Sequence, residues 1–329
     1  MHAAAIDLRG GVSPRGTLLR GQSIIEYVLI IAIIGLVIVF AGPGVAGAIR
    51  NQFNLVGNTV NSGATGGVEG GGTSGGGSTG ADSATVQAAI AKDAKDWTLD
   101  EQKAVAEDIA KNGTSSIAYA KAKAAMDAGT KFSVKLTNGE TMVYRIIGIN
   151  HDDLADGSGK AGLTFLTTST TISSRMNATS TNAGGWEASE LRAKMNSGEI
   201  WSLMPSDFQS KVKPVKKLTN NVGGKGDKDA AVTATTDKLF LLSYSEIAPA
   251  SYWPAEYPWM SSEGTQYEAF KGKVTNNDSG YAYLQIGKDW WERTVDTAYS
   301  YSFFNVTDGK PTYSGPAIFS FCVCPAWCF

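Results

Sequence analysis

The spacing of apolar residues changes along the chain, and each spacing predicts a different element. From Tyr27 to Ile49 no charge interrupts the apolar run, which has the length and character of a membrane-spanning helix. Residues 63–81, GATGGVEGGGTSGGGSTGA, hold too few apolar groups to fold and read as a flexible Gly/Ser linker. Residues 82–128 are rich in alanine and predict a small helical segment. Asp82-Ser83 marks a start, Thr98-Leu99-Asp100-Glu101 a capping box, and Asn112-Gly113 a stop. A further helix is expected from Ser116 to Ala128, ending at Gly129, and Val105, Ile109 and Ile117 are expected to pack. Beyond Lys131 the period shortens to that of strands. FSVKLTNGETMVYRIIGIN predicts a hairpin around Asn138-Gly139. LTFLTT and KLFLLSY read as strands, a helix over Ala188–Asn196 lies between them, and the chain closes on an aromatic, strand-like stretch. Regular βαβ alternation is absent. The expected class is therefore α+β: a long N-terminal hydrophobic helix, a Gly-rich linker, the helical segment, and a mixed α+β C-terminal domain over 129–329.

Composition narrows the chemistry. With a net charge of -2, nothing suggests a nucleic-acid binder. Charged residues make up only 18%, low for a cytosolic enzyme. The two histidines are His2 and His151, which argues against metal sites and histidine-based catalysis. No cofactor, no metal site and no catalytic residue is expected. His151-Asp152-Asp153 could supply a base or a ligand, but one histidine without a second ligand set points to a turn instead. Glu187, Glu190 and Arg192 are expected to form a salt-bridged face. Trp290-Trp291-Glu292-Arg293 is expected to be core with a paired arginine. Cys322, Cys324 and Cys328 all fall at the C-terminal end. Cys324 and Cys328 could close a small disulfide outside the cell, leaving Cys322 free, although spacing alone does not set its geometry. Trp253, Tyr257, Trp259 and Tyr267 lie in a proline-containing, loop-like stretch. They are the candidate binding surface, because exposed aromatic rings stack on sugars or anchor protein interfaces; the alternative is a loop packed on the core.

The N-terminus holds Arg9, Arg15 and Arg20 against Asp7, a bias that keeps a short leader in the cytoplasm and places the rest outside. The processing signal precedes the apolar run rather than following it, unlike a secretory signal peptide. Gly21-Gln22-Ser23-Ile24-Ile25-Glu26-Tyr27 resembles the leader junction of the tight-adherence (Flp-type, Tad) type IVb pilins, over about residues 15–62. The resemblance implies cleavage after Gly21 by a prepilin peptidase, releasing a leader over 1–21 and a pilin helix over 22–62. It further implies methylation of the new Gln22 amine, which would meet the glutamate at position 26 of a neighbouring subunit, with Tyr27 beside it. Burying an amine or a carboxylate alone is expensive, so pairing them offsets that cost and sets the register of assembly. Gly42-Pro43-Gly44 would either kink that helix or be a tolerated membrane proline.

The 130–329 stretch resembles an uncharacterised domain family in exported proteins of Gram-positive bacteria. The motifs are IGINHDDL (147–154), GGWEASELRAKMNSG (184–198), DKLFLLSYSEI (237–247), EGTQYEAF (263–270), WWERT (290–294) and VCPAWCF (323–329). The sequence departs from that pattern at Thr294 (serine is usual), Cys322 (glycine) and Trp327 (phenylalanine). The pattern is also similar to C-type-lectin-like folds, a likeness that implies no ligand. Together the two resemblances imply a filament subunit displaying a globular domain for adhesion. It would lie in the cytoplasmic membrane as a precursor and then in an extracellular pilus. Expected partners are the peptidase, other copies of the subunit, the membrane before assembly, and a surface glycan or protein. The alternatives are a pseudopilin or a single-pass anchored surface binding protein or enzyme.

Overall fold

The computed structural model describes residues 83–226, 230–252, 257–276 and 281–329. Gly21, Gln22, Glu26, Tyr27, Gly42, Pro43, Gly44 and Trp253 lie outside the described residues, as do the leader, the 22–62 segment and the linker.

Residues 76–329 form one compact unit. Three helices open it: α1 (Ala84–Ile90), α2 (Leu99–Asn112) and α3 (Tyr119–Asp127). Ser83 caps α1, and the Thr98–Glu101 capping box closes on α2 in both directions, at 2.7 and 3.2 Å. Gly113, at φ 56°, ends α2 where the sequence predicts. Ile117 is exposed, and Ala118 and Ala122 pack in its place.

The expected fold class is corrected at its first element. Among the described residues no helix is long and apolar enough to cross a membrane. The longest, α2, has 14 residues, or about 21 Å against an apolar bilayer thickness of roughly 30 Å. It is also amphipathic, burying Val105 and Ile109 while Lys103 and Glu107 pair outside. What stands is a mixed helix-and-sheet unit.

Three sheets follow. The first, in the order β1-β2-β3-β11, is antiparallel and joins Phe132–Lys135, Thr141–Ile149, Leu163–Ser169 and Ala326–Cys328. The predicted hairpin is β1–β2, with Gly139 at φ 87°. The C-terminal strand β11 returns to pair with β3. The second sheet, β4-β10-β7-β8-β9, joins Ser173–Ser174, Phe321–Cys322, Trp290–Asp296, Ser302–Thr307 and Lys310–Pro316, and only β10–β7 is parallel. The third is the hairpin β5 (Val215–Asn220) with β6 (Val232–Asp237). Short helices connect them: α4 (Gly185–Ala188), α5 (Glu190–Asn196), α6 (Glu199–Leu203), α7 (Ser206–Gln209), α8 (Tyr244–Ile247) and α9 (Tyr281–Leu284). KLFLLSY is not a strand. Leu239–Leu242 are fully buried, and only Phe240 makes a bridge, to Ala326.

The helices and the sheets share one core. Trp327 on β11 packs its ring 4.8 Å from Tyr144, 5.7 Å from Phe165 and 5.0 Å from Phe208. Helix α2 lies directly on the first sheet: a Cβ at Gly162 would stand 1.8 Å from the Ala106 carbonyl oxygen.

Candidate functional site

The most charged part of the interior lies beneath a small cleft of about 190 Å³ lined by His151, Asp152, Lys217, Glu246, Glu263 and Thr265, among others. Local structure brings these residues together. Strand β5 alternates, so Val215, Lys217 and Thr219 point inward. Asn150, at φ 51°, turns the chain after β2 and sets Asp152 beneath it. A capping box with Ser243 fixes Glu246 in α8. Glu263 ends a 3-10 turn, and Arg293 lies on β7.

Lys217 Nζ lies 2.6 Å from Asp152 Oδ1 and 2.5 Å from Glu246 Oε1. It also donates to the Tyr267 hydroxyl at 3.1 Å and sits 4.3 Å from the centre of the Phe240 ring. Asp152 accepts from Thr164 Oγ1 at 2.6 Å and from the Tyr267 hydroxyl, 2.9 Å from each carboxylate oxygen. The Cys328 thiol donates to Asp152 at 3.5 Å. Arg293 is fully engaged: it grips Glu246 at 2.5 and 3.0 Å and donates to Thr219 and to the carbonyls of Leu218, Leu241 and Glu263.

Burial alone would raise both Asp152 and Glu246. Lys217 for the first, and Arg293 with Lys217 for the second, overcome it and hold both carboxyls below their usual range. Burial would lower Lys217, but Asp152 and Glu246 raise it above the usual amine range. Glu263 differs. It accepts from Asn220 N at 2.9 Å and Thr294 Oγ1 at 2.5 Å, yet burial pushes its pKa up to about 7. Glu292 is fully buried with neither carboxyl oxygen hydrogen-bonded, and burial followed by the nearby Glu263 pushes it well above the usual range.

At the rim, His151 Nδ1 lies 3.2 Å from Glu268 Oε2, and its ring stacks on Tyr267 at 4.1 Å. Burial would raise Glu268, but the bond from His151 lowers its pKa to about 2. Among the described residues no group of three or more acidic, histidine or cysteine side chains is placed to hold a metal ion.

Several expectations are corrected here. Tyr257, Trp259 and Tyr267 are 8%, 5% and 0% exposed, so these three rings are packed on the core and not presented to solvent. The Tyr257 hydroxyl donates to Asp296 at 2.7 Å, so these rings fill core beside buried acids. Cys324 and Cys328 are free, buried thiols, as is Cys322. Cys328 faces Asp152 and Thr164 rather than Cys324. Arg192 pairs with Asp237 at 2.6 Å, not with Glu187 or Glu190.

Lys217, Glu246 and Glu263 were not singled out from the sequence. A signal existed for most of the network: five of the six motifs quoted above each contribute at least one member. Asp152 comes from IGINHDDL, Glu246 from DKLFLLSYSEI, Glu263 and Tyr267 from EGTQYEAF, Arg293 and Thr294 from WWERT, and Cys328 from VCPAWCF. The sixth docks alongside, with Trp186 Nε1 donating to Asp237 at 3.0 Å. Lys217 lies in none of them.

Fold and site define an α+β domain built around a buried, charge-balanced polar network. The chain belongs to the family described as domain of unknown function DUF6273, whose model matches residues 161–328. No curated protein and no solved structure matches the chain.

Proposed function

We propose that this protein is a type IV-like (Flp/Tad) pilin subunit, cleaved after Gly21 and assembled into a surface filament that displays the 83–329 unit for adhesion. The observation that carries this reading is the Gly21-Gln22 junction followed by Glu26-Tyr27 and the uncharged run to Ile49. Its partners are the prepilin peptidase, further copies of the same chain, the membrane before assembly, and a glycan or protein on the contacted surface. A compact unit joined to the rest through a glycine-rich stretch suits display. With the 257–267 rings buried, the exposed aromatic side chains among the described residues are Tyr283, Tyr299, Tyr301, Tyr313 and Phe319, which are 38–50% exposed. Tyr299 and Tyr301 lie 5.6 Å apart, and the Tyr301 carbonyl accepts from Ala317 N, two residues before Phe319.

The test is mass spectrometry of the N-terminal peptide from filaments sheared off cells. An N-methylated Gln22 supports the reading, and a chain still starting at Met1 overturns it. Glu26→Ala is expected to abolish filaments while leaving cleavage largely intact.

A further inference from the structure

We propose that Lys217 and Asp152 are the two halves of an intramolecular isopeptide bond, formed by the protein itself with Glu246 as proton shuttle. This inference stands apart from the filament reading, because it rests only on the interior of the 83–329 unit.

Three features distinguish the site from an ordinary buried ion pair. The amine and the carboxyl are in contact at 2.6 Å, with side chains only 3% exposed, on elements 65 residues apart in sequence. A second carboxylate, Glu246, touches the same Nζ at 2.5 Å. The Asp152 oxygens already face two hydroxyl donors, Thr164 and Tyr267, at 2.6 and 2.9 Å. Those donors sit where negative charge would develop on a tetrahedral intermediate.

The step balances. A proton passes from the Lys217 ammonium to the Asp152 carboxylate, giving a neutral amine and a carboxylic acid. Burial of the amine, whose side chain is 3% exposed, disfavours its charge and so lowers the cost of that neutral state. The amine nitrogen attacks Asp152 Cγ, and the N–C bond forms. Glu246 takes the surplus proton from nitrogen and returns it to the departing hydroxyl. The C–O bond breaks, and one water leaves through the cleft that Asp152, Lys217 and Glu246 line. Two buried opposite charges become a neutral amide, which removes their desolvation cost. The remaining Glu246–Arg293 pair is still balanced. The bond would tie the end of β2 to the β5–β6 hairpin, closing a loop that unfolding could not open.

The test uses the full-length chain, shown to be folded by circular dichroism, then digested with trypsin and mapped by tandem mass spectrometry. The expected product is the 146–160 peptide joined to a peptide carrying an uncleaved Lys217, lighter by one water than the two linear peptides. Lys217→Arg keeps the charge but presents a guanidinium that does not condense, and is expected to yield linear peptides only. Glu246→Gln is expected to slow bond formation by about 100-fold. Linear 146–160 peptide and cleavage after Lys217 in the folded wild-type chain would overturn the proposal. Undiminished joined peptide in folded Glu246→Gln would overturn the role given to Glu246.

Discussion

At the scale of single residues, the interior separates carboxyls that keep their charge from carboxyls that keep their proton. Glu263 is of the second kind. Its folded pKa of about 7 lies above the ordinary carboxyl value of 4.5, so the native state binds a proton that the unfolded state has released. The stability this contributes is complete below pH 4.5 and is lost as pH rises to about 7, at roughly 3 kcal/mol in all. Glu263→Gln is expected to flatten that part of a stability–pH curve measured by urea denaturation. Glu246 and Glu268 have lowered values and act in the opposite direction, so their contribution disappears as pH falls below the ordinary carboxyl range. A second contrast concerns two buried indoles. Trp291 Nε1 donates to the Ser174 carbonyl at 2.9 Å, whereas Trp327 Nε1 has no partner. Trp291→Phe should cost about 1–3 kcal/mol more than Trp327→Phe in the same denaturation experiment, because only the first strands a buried acceptor. The Thr294 hydroxyl donates to Glu263 and accepts from Tyr244 N, so it holds two buried partners at once.

At the scale of elements, the helices are held by close approach as much as by apolar burial. Helix α2 touches the loop before β3 so tightly that the carbonyl of Ala106 occupies the space a side chain at 162 would need. Backbone cannot yield as a flexible side chain does. Gly162→Ala is therefore expected to push α2 off the sheet and destabilise the unit by about 1–3 kcal/mol, read from thermal unfolding. The Tyr144 hydroxyl donates to Gln102 at 3.1 Å and would be strained by the same shift.

At the scale of the molecule, the segment matched by the family model is shorter than the compact unit that contains it. Residues 161–328 include β3 and β11 but omit β1 and β2, the other two strands of the same sheet, and α2, which packs on it. They also omit Asp152, without which Lys217 keeps only Glu246 as a buried counter-charge. The 83–329 polypeptide is expected to unfold in a single cooperative transition by circular dichroism. The 161–328 piece is expected to show no such transition, because its exposed sheet and unbalanced lysine leave it below the threshold of stability.

The sequence by itself determined what is local. A capping box needs only residues three apart, so Thr98–Glu101 was legible, as were the glycine stops of the helices and the Asn138-Gly139 turn. Tertiary structure alone decided which polar residues meet. Asp152 and Lys217 are 65 positions apart, and Glu246 and Arg293 are 47 apart, so no spacing rule pairs them. Exposure was likewise undecidable from pattern: prolines and aromatics at 253–267 look like a surface loop, but Tyr257, Trp259 and Tyr267 are packed against strands that arrive from elsewhere in the chain. The thiols of Cys324 and Cys328 sit close in sequence, but β11 carries Cys328 to Asp152 and Thr164 instead. Burial and long-range pairing depend on where the whole chain goes, and that is set by the shared core rather than by any one segment.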